Sequence, residues 1–90
     1  MHLDLDIRNY YEQLVISYLT ESKLEQRHDG DFISDLCCLA LNNLPARYIR
    51  HDVDMAFYLS IEQRKKMYSD VVTAVTEALA YLTTRNEQQN

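Results

Sequence analysis

Ninety residues with one glycine, one proline and a net charge of −5 make one domain, residues 1–90, whose core is of marginal size. So little glycine and proline argues against a turn-rich all-β fold, and a 47% hydrophobic share argues against disorder away from the ends. The negative charge disfavours direct DNA binding and an anionic membrane surface, so any polyanion that binds must be small and meet a local basic patch.

In chain order, Asp4 or Asp6 is placed to cap a first helix. Ile7, Tyr10, Tyr11, Leu14, Val15, Tyr18 and Leu19 then recur at three- and four-residue steps, which is the pattern of an amphipathic helix. Residues 20–31 are polar and read as a frayed helix end followed by an Asp29-Gly30 turn. Asp31 is the expected N-cap of the next helix, from residue 32 to about 42. From 32 to 41 only Ser34 and Asp35 are polar, so this helix is expected to be a spine buried all round. Asn42 and Asn43 offer left-handed or side-chain-bonded ways to end it, and Pro45 cannot continue it.

Residues 44–59 read as an irregular segment, in which 52–58 could form one helical turn or a short strand. Ser60 opens the last helix, because Ser60-Ile-Glu-Gln63 is a capping-box pattern. Two apolar stripes follow, Tyr68, Val72, Val75, Leu79 and Leu82 beside Met67, Val71, Ala74, Ala78 and Tyr81. From residue 60 to 85 such a helix runs about 39 Å, whereas a compact chain of this length is only about 31 Å across. A homodimer built on the long helix accommodates both its length and its wide apolar face. The expected fold is all-α: a small bundle of three main helices, an irregular segment before the long last one, and dimeric assembly.

No catalytic signature is present: there is no phosphate-cradling glycine loop, no His-Glu-x-x-His and no Gly-x-Ser-x-Gly. An enzyme is therefore not expected. His2, His28 and His51 lie in separate segments, and adjacent Cys37 and Cys38 point about 100° apart on a helix, so no metal and no cofactor are expected. The cysteines read as small core residues, suited to a reducing cytoplasm. No basic segment leads into an apolar run at the start, and no run approaches the roughly 20 residues of a membrane span, so neither a signal peptide nor a membrane helix is expected.

One cluster stands out: Arg47, Tyr48, Arg50, His51 and Asp52 fall within six consecutive residues shortly after the proline. Arginine presents a planar fork of donors to phosphate or to guanine O6 and N7, tyrosine offers a flat face, and Asp52 or Asp54 can accept from guanine N1 and N2. The alternative is that Arg47 and Arg50 form ordinary surface ion pairs with nearby aspartates.

The run Asp35-Leu-Cys-Cys-Leu-Ala-Leu-Asn42-Asn-Leu44-Pro45-Ala-Arg-Tyr48-Ile resembles the signature of the late competence development protein ComFB family, Asp-Val-x-Ala-Leu-x-Leu-Asn-x-Leu-Pro-x-x-Tyr-Val. Asn9-Tyr10-Tyr11-Glu12-Gln13-Leu14-Val15 is similar to that family's Asn-Tyr-x-Glu-x-x-Val. The resemblance implies a small, helical, dimeric protein with a regulatory role, and some bacterial members are cyclic dinucleotide receptors. Some Gram-positive members bind zinc through cysteines before the buried helix. Here Phe32 stands nearest that position, so zinc is not carried over. On this footing the expected ligand is cyclic di-GMP first and cyclic di-AMP second, while the choice of Arg47, Tyr48, Arg50, His51 and Asp52 as its contacts rests on their side-chain chemistry. The competing reading is a protein-interaction adaptor in competence, DNA uptake or motility.

Overall fold

Asn9 starts the first helix. Its backbone is extended (φ −81°, ψ 118°), and its side-chain oxygen accepts the Tyr11 N–H at 3.2 Å, which makes it the N-cap of α1 (Tyr10–Glu21). The computed structural model describes residues 7–50 and 59–88, so Asp4 and Asp6 lie outside the described residues. The cap expected from one of them is instead Asn9, because residues 7–9 are not helical. Ile7–Asn9 forms strand β1, antiparallel to β2 (Tyr48–Arg50), with Ile7 opposite Arg50, Arg8 opposite Ile49 and Asn9 opposite Tyr48. A cross-strand ladder satisfies the backbone groups there that a further helical turn would have used.

Helix α1 buries Tyr11, Val15 and Leu19, one residue per turn, with Tyr10, Leu14 and Tyr18 packed alongside. Lys23, in the left-handed region at φ 62°, turns the chain, and a short 3-10 turn at Leu24–Gln26 buries Leu24 against the core. Helix α2 (Gly30–Asn42) is capped by Asp29, whose carboxylate accepts the Phe32 N–H at 2.8 Å. The cap thus falls two residues before the expected Asp31, which sits in the first turn and favours the positive helix end. Gly30 belongs to the helix and not to a preceding turn.

The expectation of a spine buried all round is not met. Leu36 and Ala40 are fully buried, Phe32, Ile33, Cys37, Leu39 and Leu41 are half-buried, and Ser34, Asp35 and Cys38 are exposed. Two neighbouring helices, α1 and α3, cover one side of α2 and leave the other open. The helix ends by side-chain bonding: Asn43 Nδ2 donates to the Leu39 carbonyl at 3.0 Å, with its backbone at φ −99° and not left-handed.

Helix α3 (Ile61–Gln88) opens with the expected capping box: the Gln63 N–H donates to Ser60 Oγ at 3.0 Å, and the Ser60 N–H donates to Gln63 Oε1 at 2.8 Å. Met67, Val71, Ala74, Val75, Ala78 and Leu82 are its buried stripe, while Tyr81 is 54% exposed. At 28 residues α3 is about 42 Å long and spans most of the 47 Å longest dimension. The radius of gyration, 15.0 Å, exceeds the roughly 12 Å of a compact chain this size. Three helices and a short irregular stretch before the long last one match the expected architecture. The addition is the two-stranded ribbon, which pairs Tyr48–Arg50 of the irregular segment with Ile7–Asn9. The choice between a helical turn and a strand at 52–58 falls outside the described residues.

Candidate functional site

Six of the nine Lys and Arg residues fall in three short segments: Arg8, then Arg47 and Arg50, then Arg64, Lys65 and Lys66. The fold joins these segments. Arg8 and Arg50 lie on the paired strands, and the residues just before β2 lie against the first three turns of α3.

Asn9 fixes this end of the molecule. The oxygen that caps α1 also accepts the Arg47 N–H at 2.9 Å, and the Tyr10 N–H donates to the Arg47 carbonyl at 2.6 Å. Arg47 is therefore held by its backbone at both groups, which leaves its guanidinium for other work.

Strand alternation then divides the expected cluster. Ile49 is buried, so Tyr48 and Arg50 point to the opposite face, where Tyr48 is 67% exposed beside its cross-strand neighbour Asn9. Arg47 instead lines a groove with Tyr11, Pro45, Leu59, Gln63 and Lys66, floored by Met67 and flanked by Asp70. The groove encloses about 330 Å³. His51 and Asp52 lie outside the described residues; of the other three, Tyr48 and Arg50 share a strand face and Arg47 lines the groove.

Lys66 sits across the groove from the Arg47 segment, 3.3 Å from both carboxylate oxygens of Asp70 one turn along. The Lys66 side chain is 77% exposed, and a solvated pair of this kind contributes roughly 0–1 kcal/mol. Burial, with the Asp70 charge adding to it, pushes the Tyr11 hydroxyl above its ordinary range, against the weaker pull of Lys66 and Arg47. Tyr11 thus stays a neutral phenol near neutral pH. The sequence signal for Lys66 was the run Arg64-Lys65-Lys66, but nothing local ties that run to Arg47.

Among the described residues, no group of three His, Cys, Asp or Glu side chains could hold a metal ion, and no helix is long and apolar enough to cross a membrane. The fold and site define a small three-helix domain whose positive charge is gathered around a strand ribbon and an adjoining groove. The description of the late competence development protein ComFB family matches residues 8–86, and the chain belongs to that family. Membership points to a competence-related role. No curated protein and no solved structure matches the chain.

Proposed function

We propose that the chain is a non-enzymatic regulatory receptor for a cyclic dinucleotide, with cyclic di-GMP ahead of cyclic di-AMP, acting in the cytoplasm as a homodimer. The observation that carries this reading is the placement of Tyr48: a large aromatic ring, 67% exposed, on the same strand face as Arg50 and one residue from Arg47. Held outwards on the same face as Arg50, it suits a ligand that is both flat and anionic, since bases stack on aromatic faces and phosphates take the guanidinium fork. A ligand with two-fold symmetry also suits a two-fold dimer. Support for the dimer is the length of α3, the exposed Tyr81 and the half-buried Leu39 and Leu41 of α2, which a second copy would cover.

The test is calorimetric titration of wild type, Arg50→Ala and Arg50→Lys with each cyclic dinucleotide, with melting temperatures recorded in parallel. Arg50→Ala should weaken cyclic di-GMP binding about 10- to 100-fold, the loss of charge-assisted bonds worth roughly 1.5–3 kcal/mol. Lysine, lacking the planar fork, should recover part of it. Wild type should bind one ligand per two chains. Equal affinity in all three proteins removes Arg50 from the site. Binding of neither ligand favours the adaptor reading, for which the exposed Ile16 (61%) and Tyr81 are the supporting surface.

A further inference from the structure

The groove beside the ribbon differs from the exposed Tyr48 face in being concave and bipolar. Its floor is apolar, made by Met67 and Leu59, both buried, with Pro45 at the rim. Its polar groups come from three separate segments: the Arg47 guanidinium, the Lys66 ammonium, the Gln63 amide and the Tyr11 hydroxyl. Every one of these can donate a hydrogen bond, and among the described residues Asp70 is the one carboxylate lining it. At about 330 Å³ the groove is at the small end of ligand pockets, which run from roughly 300 to 1,000 Å³. A groove of this size suits one nucleotide unit, and its open side leaves the rest of a larger ligand in solvent.

We propose that this groove holds one phosphate ester and its attached nucleoside, with Lys66 as a phosphate contact that Asp70 occupies until ligand arrives. The ligand class rests on the receptor reading above, and the site rests on the groove itself. Lys66 is 3.3 Å from both Asp70 oxygens, in an open and weak pair. A phosphate entering between Arg47 and Lys66 meets two cations and loses little by displacing a solvated carboxylate. Asp70 also places a negative charge where the ligand's charge must go, so it opposes binding in two ways. The apolar floor then takes the nucleoside, and the second half of a cyclic ligand projects out of the groove.

Opposite effects from the two members of one ion pair are the signature. In titrations with cyclic di-GMP and with GMP, Lys66→Ala should weaken binding by about 10-fold or more, whereas Asp70→Asn should tighten it several-fold. Both side chains are solvent-accessible, so both variants should melt within a few degrees of wild type. A mere helix-surface pair would instead shift stability equally in the two variants and leave affinity alone. If GMP shows this pattern and cyclic di-GMP does not bind, the groove stands and the cyclic dinucleotide reading falls. If cyclic di-GMP binds all three proteins equally, the groove falls and the receptor reading survives. Binding of neither ligand to any of the three, or Asp70→Asn weakening binding, overturns the proposal.

Discussion

Replacing Asn9 by alanine is the most searching perturbation of this fold, because one oxygen serves two segments 38 residues apart. Its bond to the Tyr11 N–H caps α1, and loss of a cap costs about 1 kcal/mol, within a range of 0.5–2. Its bond to the Arg47 N–H is exposed, so water replaces it in part and the loss is about 0.5–1 kcal/mol. Together Asn9→Ala should destabilise by roughly 1.5–2.5 kcal/mol, a fall of about 6–20 °C in melting temperature for a chain of this size. Asn9→Asp keeps the acceptor and adds a charge favoured at a helix start, so it should stay within about 0.5 kcal/mol of wild type. Urea and thermal denaturation of the three proteins measure this directly. An alanine variant within about 0.5 kcal/mol of wild type, or an aspartate variant as unstable as alanine, would refute the shared-oxygen account. On the receptor reading, Asn9→Ala should also weaken cyclic di-GMP binding under conditions where it is still folded, since Arg47 loses its tether.

Leu36 has no exposed surface, so Leu36→Ala should cost about 2–5 kcal/mol, whereas half-buried Leu39 should lose less than about 2 when cut to alanine. Urea denaturation giving Leu39 the cost of Leu36 would mean that its outer side is covered, as a second copy of the chain would do. Cys38 is exposed while burial raises the Cys37 thiol above its usual range, so iodoacetamide at pH 8 should modify Cys38 first. Peptide mass mapping that finds Cys37 modified first would contradict this placement.

Two helices were legible from their period, Tyr11, Val15 and Leu19 in α1 and Met67 through Leu82 in α3, and α2 was legible as an apolar run between an Asp-Gly start and a proline. The Ser60-Gln63 cap was legible for a different reason, since both of its partners are local. The ribbon was not legible. Three residues are too few to show a period of two, and Ile7 finds its partner 43 positions away at Arg50. The burial of α2 was overestimated because an apolar run records what a helix can bury and not how many neighbours it has. In the site, Arg47, Tyr48 and Arg50 were marked by their chemistry, but strand alternation sends them to different faces. Lys66, Gln63 and Tyr11 join Arg47 only through tertiary packing.

The two stretches that carry the family resemblance meet in space. The Asn-Tyr of one supplies the oxygen of Asn9 and the N–H of Tyr10, and the Leu-Pro-x-x-Tyr of the other supplies both backbone groups of Arg47. Since those contacts use the main chain of Arg47, they place the residue without specifying its side chain. The neighbouring anchor is Ile49, which is 7% exposed and opposite Arg8. Burying Ile49 forces Tyr48 and Arg50 outwards, because successive strand residues face opposite ways. Anchoring and presentation thus fall on different residues of one short segment. Asn9 and Ile49 determine where the segment lies, while Arg47, Tyr48 and Arg50 determine what it can hold. Substitutions at the first pair should therefore move stability and affinity together. On the receptor reading, substitutions at Tyr48 and at the Arg47 side chain should move cyclic di-GMP affinity with little change in melting temperature, and that separation is what a site built for a ligand requires.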